Sequence, residues 1–402
     1  MKCFFFALSS FFFVTVAFGQ APNFSLLNVP RDLLIDQQKE NSFRKEIYNA
    51  SFLDAYDLTR SLPRGYVKNG TRDYTDYLQR AIDRYDKVIF PNFPILIDTK
   101  GLNLRSNTKL YFPENGKLIM KTNNLKGYEM LMISNVINVE IYFPNLEGDR
   151  KRHQGKEGEF GFPIRIAGSE NITVHYGKIT DSWGDGIHIS DHYRKPYKNE
   201  KLSQPLVWGI YVSKRSKNIS IHNVWIDNCR RNGISVISVD NLLIDGCLIS
   251  NTNGTNPQSG IDLEPNGDYN ILKDIRLNNI KTFNNRSGGI IVGLVAMNGT
   301  TKRTIDVSVN NHLDKQSFFG FGLYLHKNEA NLTGSIKINS PRWMDNWYGP
   351  MFVPKGNRKN RVNIQIVNPS GTKSNKPGYK FTWNDYINNE IKNQNGIDLF
   401  YK

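Results

Sequence analysis

Between Asn171 and Val292 the chain repeats one pattern four times, and that repetition leaves few folds open to it. Asn171-Ile172-Thr173-Val174 leads to Gly186-Ile187-His188-Ile189, and Asn218-Ile219-Ser220-Ile221 leads to Gly233-Ile234-Ser235-Val236. Asn241-Leu242-Leu243-Ile244 leads to Gly260-Ile261-Asp262-Leu263, and Asp274-Ile275-Arg276-Leu277 to Gly289-Ile290-Ile291-Val292. Apolar residues alternate with others in each run, the period of a strand with one buried face. The runs are too short and too β-branched for helices, and Gly and Asn punctuate them. Glycine to glycine, the intervals are 47, 27 and 29 residues, and the last is about the length of a coil of three short strands. One such coil cannot bury its own apolar face, so the coils must stack. Ile187, Ile234, Ile261 and Ile290 then form one inward column, and Ile189, Val236, Leu263 and Val292 a second. The fold class is all-β, a right-handed parallel β-helix. Similar alternation from Leu110 to Ile366 predicts about nine to eleven coils.

The ends of such a stack must be covered. Asp73 to Arg84 reads as an N-terminal capping helix: Asp73 or Thr75 caps it, and Leu78, Ala81, Ile82 and Tyr85 share one face. The expected organisation is a signal peptide over 1–19, an extension over 20–70, the capped β-helix over 71–371 and a C-terminal cap over 372–402. The signal reading rests on Lys2, the apolar run Phe4 to Phe18, and the small-residue pattern Ala17-Phe18-Gly19. The run is shorter than the roughly 20 residues of a membrane span. A secreted or periplasmic protein is expected. Only Cys229 and Cys247 then remain of three cysteines. Two cysteines make no framework, and buried free thiols are expected rather than a disulfide.

The formal charge is +15. A basic exported protein calls for an anionic partner, whether nucleic acid, membrane surface or acidic polysaccharide, and composition alone does not choose.

The stretch Asp73 to Ile97, with its helix and the strand ending Val88-Ile89-Phe90-Pro91, resembles the entrance of the pectate-lyase and polygalacturonase-like β-helix superfamily. Gly184-Asp185-Gly186-Ile187-His188-Ile189 resembles the polygalacturonase motif that carries aspartates at a coil corner. Cys229 to Val236 and Ser259 to Asn266 resemble coils of secreted bacterial β-helix proteins linked to polysaccharide breakdown. The resemblance implies polysaccharide-directed chemistry without fixing a reaction, since that fold hosts hydrolases, lyases, epimerases and binders.

With the apolar columns inward, the residues between them point outward. Arg165, His188, Ser235 and Asp262 form one outward column; Glu264 lies two residues further along, and Asp185 and Arg231 stand at the adjoining corner. Ordinary outward positions carry Thr, Asn, Ser or Lys, whereas this face collects carboxylates, arginines and a histidine. Asp262 and Glu264 are about 6.6 Å apart along the strand, and Asp185 is about 9.5 Å away across two coils. Separations of roughly 6.5–9.5 Å suit inverting glycoside hydrolysis. Asp185, Asp262 and Glu264 are the expected catalytic groups. Arg165, His188 and Arg231 are expected to bind acidic sugars, with Tyr193, Arg194 and Trp208 from the insertion His192 to Lys217 walling the groove. Arg150-Lys151-Arg152-His153 is a second expected wall.

Three readings stay open. The first is a glycoside hydrolase on a uronate-containing or sulfated polysaccharide, with no cofactor and no metal. The second is a polysaccharide lyase, in which Arg231, Arg165 or His188 takes a proton and Asp262 with Glu264 holds Ca²⁺. The third is a non-catalytic glycan binder. Nucleic acid is not expected, because the carboxylates would repel phosphates. Oligomeric state is not legible in the sequence.

Overall fold

The computed structural model describes residues 23–198, 200, 206–207, 209–297, 302–324, 331–353, 361–373 and 398–401. The expected signal segment, Trp208 and most of the expected C-terminal cap lie outside them. A parallel β-solenoid is built from one nine-strand sheet and a larger sheet that bends around its remaining sides. Nine strands in the smaller sheet mean about nine coils, the lower end of the expected number. In a single coil, Phe160–Ala167 runs in the nine-strand sheet. Glu170–Thr180 then turns through the larger one, and Ile187–Ser190 returns one rung higher.

The register is the one the repeats require. Ile187, Ile234, Ile261 and Ile290 are successive partners, as are Ile189, Val236, Leu263 and Val292, and every one of them is buried. The repeated glycine marks where each coil's backbone passes beneath the next. A Cβ at Gly186 would lie 2.7 Å from the Gly233 carbonyl oxygen, and one at Gly260 2.5 Å from that of Gly289. The repeated asparagine marks a corner. Asn138, Asn171, Asn218 and Asn241 take positive φ, which asparagine tolerates better than most residues. Each side-chain amide donates to the carbonyl of the one below, at 2.9–3.0 Å, from Asn241 down to Asn107.

Helix α2 (Thr75–Ile82) closes the first coil with Leu78, Ala81 and Ile82 buried, and the Asp73 carboxylate accepts the Thr75 N–H at 2.9 Å. The preceding segment holds more order than its sequence announces. Residues 23–36 lie along the outside of the larger sheet, and α1 (Gln37–Ser51) follows, capped by Asp36. Phe43 of α1 packs against Tyr142, Phe143, His175 and Tyr176. Cys229 and Cys247 are free and buried. Among the described residues no helix is long and apolar enough to cross a membrane.

Candidate functional site

The nine-strand sheet carries the expected outward column, with Arg165 beside His188, His188 beside Ser235, and Ser235 beside Asp262. At its centre Arg231 is wrapped by acids. Its Nε donates to Glu159 Oε2 at 3.2 Å, Nη1 to Asp185 at 3.2 and 3.3 Å, and Nη2 to Glu264 Oε2 at 2.9 Å. Burial alone would lower the arginine's pKa. Asp185, Glu264 and Asp262 outweigh it and raise the value, so the guanidinium is a fixed charge.

The carboxylates fall into two unlike groups. Asp185 has no exposed surface, and its oxygens accept from Arg231, from the Asn232 N–H at 3.1 Å and from His188 Nδ1 at 3.2 Å. Burial pushes its pKa up, but Arg231 and His188 prevail and hold it below the usual carboxylate value. Asp262 and Glu264 face each other instead. Burial raises both; the charge of Glu264 lifts Asp262 further, whereas Arg231 and a hydrogen bond with Asp262 hold Glu264 back, so Asp262 is raised the more. Such a pair holds one proton between its members above the ordinary carboxylate range. The Asn232 amide donates to Asp262 Oδ2 at 3.2 Å and to Ser235 Oγ at 3.0 Å, while its own carbonyl accepts from Ser259.

His188 is 14 % exposed at its side chain and stacks on Phe162, with ring centroids 4.5 Å apart. Burial lowers its pKa despite Asp185. The neutral ring gives its Nδ1 proton to ionised Asp185, which leaves Nε2 as an acceptor. Arg165, one rung below, is held by Glu129 at 2.7 Å.

Asp185, His188, Arg231, Asp262 and Glu264 are therefore joined by contact, with Arg165 at their edge. The other expected binders stand apart. Tyr193 accepts from the Asn270 amide at 3.1 Å and faces Tyr269, and Arg194 grips Glu200 at 2.7 and 2.8 Å. Both lie on an antiparallel hairpin rather than a loose loop. The basic stretch before Arg165, the second expected wall, is engaged in contacts with its own coils. Arg150 donates to the Asn228 carbonyl and to Asn253, Lys151 pairs with Asp181, Arg152 with Glu147, and His153 with Asp149. Arg230 turns away to cover the Trp183 ring. The sequence reading missed Asn232, Glu159 and Glu129, which lie outside the outward column. The expected signal for Asn232 was its place between Arg231 and Gly233 at a repeated corner.

Calcium does not fit between Asp262 and Glu264. The Arg231 guanidinium already holds Glu264 at 2.9 Å, a fixed cation that calcium would have to displace. Among the described residues no group of three or more His, Cys, Asp or Glu side chains is arranged to hold a metal ion.

Fold and sequence together define the class: the chain is a right-handed parallel β-helix protein, and the family described as "Right handed beta helix region" matches residues 162–339. Two curated relatives come from Bacillus subtilis (strain 168). The uncharacterized protein YclG is 27% identical over 293 residues, 67% of this chain and 47% of its own. The SPbeta prophage-derived uncharacterized protein YorA is 24% identical over 287 residues, 68% of this chain and 45% of its own. The chain thus spans about half the length of the curated relatives it matches. Among solved structures, the endo-xylogalacturonan hydrolase from Aspergillus tubingensis superposes with a TM-score of 0.53 at 12% identity, covering 79% of this chain and 85% of that one. At that identity the likeness is one of fold.

Proposed function

We propose that this protein is a glycoside hydrolase acting on an anionic polysaccharide. The observation that carries the reading is the division of the buried carboxylates, with a proton-holding pair, Asp262 and Glu264, on one side of Arg231 and ionised Asp185 on the other. Environments that drive neighbouring titratable groups apart supply an acid and a base at one pH. Asp262 and Glu264 share one proton as the general acid, and Glu264, 8% exposed against 1% for Asp262, is the member that presents it to the leaving oxygen. Asp185 is too buried to meet a water itself and acts through His188, whose Nε2 is the base that activates it. Arg231 fixes both halves, and Arg165 contributes positive charge for an acidic sugar. The fold is shared with a protein named as an endo-xylogalacturonan hydrolase, which supports acidic polysaccharides as the panel to test.

One observation favours elimination instead. A neutral His188 between Arg165 and Arg231 is also placed to take the proton beside a uronate carboxylate. Pectic, alginate, ulvan and carrageenan polymers distinguish the readings when reducing ends and the absorbance of unsaturated uronates are followed together. Reducing ends without that absorbance are expected; both together would replace hydrolysis by elimination. Asp262→Asn should lower turnover by about 10²–10⁴-fold, the range for a general acid, with an unchanged melting temperature. Undiminished turnover would remove Asp262 from the mechanism. Release through an export signal, as the N-terminal residues suggest, would bring the enzyme to its polymer.

A further inference from the structure

Four residues past His188 the chain leaves the nine-strand sheet as a hairpin, His192–Arg194 against Val212–Lys214. His192 lies directly opposite Lys214, and two basic side chains so placed weaken an ordinary strand pair. Arg165 and Arg194 add further positive charge around the same imidazole. Of these cations Arg165 is matched by Glu129 and Arg194 by Glu200. Lys214 meets no carboxylate among the described residues; its Nζ donates to the neutral Asn135 Oδ1 at 2.8 Å.

A depression opens here, lined by Asn135, His192, Arg194, Tyr197, Val212 and Lys214. Tyr197 is 71% exposed yet not loose. Its N–H donates to Glu200 Oε2 at 2.8 Å, and the Arg194 guanidinium lies 4.3 Å from its ring centroid. A ring held on one face in this way keeps a fixed orientation beside the Lys214 ammonium. An aromatic ring fixed beside an unneutralised ammonium suits an anionic sugar, because the ring stacks on a pyranose face and the cation meets its carboxylate or sulfate. Arg165 lies near enough to both places for its charge to act on His188 and on His192, and its buried Nε has no protein acceptor.

We propose that this depression is a second anion-binding subsite for the same glycan, with Lys214, His192 and Asn135 holding the charged substituent and Tyr197 stacking on the ring. It rests on the proposed function only in taking the ligand of the cluster to be an anionic polysaccharide. At the strand rise the four residues from His188 to His192 span at most about 13 Å, room for more than one sugar ring. A short fragment therefore fills one site, whereas a longer oligosaccharide spans both. The ligand class follows: an anionic glycan charged at both positions and engaged along its length.

The test reads binding rather than turnover. Calorimetry on the Asp262→Asn protein would follow galacturonate oligomers, and carrageenan-derived oligosaccharides, from dimer to hexamer. In at least one series affinity should rise about tenfold or more with length, equivalent to one charge-assisted contact. Lys214→Gln and Tyr197→Ala should each remove that rise while leaving dimer affinity and melting temperature unchanged. A rise that survives both substitutions, or no rise in either series, overturns the subsite. Length-dependent binding by a protein whose wild type cleaves nothing would sink the hydrolase reading and leave the subsite standing.

Discussion

Arg231 touches Asp185, Glu159 and Glu264 at once, and no other described cation is placed to neutralise them. Buried charges of this kind gain little over an apolar core when complete but cost heavily when broken. Arg231→Met should therefore lower unfolding free energy by about 3–5 kcal/mol in urea titrations at neutral pH. The pH dependence has a definite sign. The folded pKa of Asp185 lies below its ordinary 3.8, so its stabilisation is present above that value and lost as pH falls through the folded one. The gap between wild type and variant should accordingly narrow below about pH 4; a gap that stays constant down to acid pH would mean the loss comes from packing. Much of this site was legible beforehand, because period two fixes which side chains face outward once the inward columns are known. His188 and Asp262 follow from that rule alone. Glu159 and Asn232 do not, because they sit in corners where strand alternation makes no statement about direction. The meeting of the Asp262 and Glu264 carboxyl groups was equally out of reach, since backbone rise gives the spacing of Cα atoms and not the convergence of side chains.

At the scale of the element, the coils are joined by polar ladders as well as apolar columns. One buried network crosses three coils near the far end of the described solenoid. The Trp343 indole donates to His312 Nδ1 at 2.9 Å, and His312 Nε2 lies 2.8 Å from Thr282 Oγ1. The Thr282 hydroxyl donates to Asp314 Oδ2 at 2.5 Å, and Ser317 and Asn346 complete that carboxylate's shell. The indole's donation fixes the tautomer, with the proton on Nε2 and the ring neutral. Burial lowers the His312 pKa to about 3 from 6.5 and raises that of Asp314 to about 6 from 3.8. The two groups act with opposite signs. The His312 contribution is complete above pH 6.5 and is lost as pH falls toward 3; the Asp314 contribution is present below 3.8 and is lost as pH rises through 6. Over the middle of the acid range they offset each other, and below it only His312 still changes. Replacing His312 by Gln removes one side of the balance. Relative to wild type, the variant should gain stability at pH 3–4 over pH 7, by an amount on the order of a few kcal/mol. Parallel urea midpoints in the two proteins across that range would exclude His312 from the acid response. This network was illegible beforehand, because Thr282, His312 and Trp343 come from different coils and point inward among apolar residues.

On the scale of the whole molecule, the solenoid is bound along one side by its own N-terminal segment. Leu27 exchanges two hydrogen bonds with the Asn251 side chain, each 3.1 Å, and Asn284 donates to the Ser25 carbonyl at 2.9 Å. Leu33, fully buried, sits among Leu248, Phe283 and Leu313, flanked by Val29, Trp225 and Met344. Lys281 donates to the Leu33 carbonyl at 3.0 Å, and Lys315 pairs with Asp32 at 2.7 Å. Helix α1 then carries the chain back toward the first coil, where Arg44 donates to the Phe112 carbonyl. This strap ties middle coils to early ones, contacts that stacking between neighbours alone cannot supply. It was illegible beforehand because residues 20–70 lack the repeat, and an outward apolar stripe looks from sequence like occasional large residues on a solvated face. The strap's value is testable at its one deep anchor. Leu33→Ala removes a fully buried side chain and should cost about 2–5 kcal/mol if the strap unfolds together with the coils. If instead the strap detaches on its own, the cooperative transition would keep its midpoint, and amide exchange would rise only in residues 23–36 and in the strands around Leu248, Phe283 and Leu313. Hydrogen exchange on the variant separates the outcomes: protection lost throughout the middle coils is expected. A loss confined to the strap would make it a passive cover rather than a brace of the solenoid.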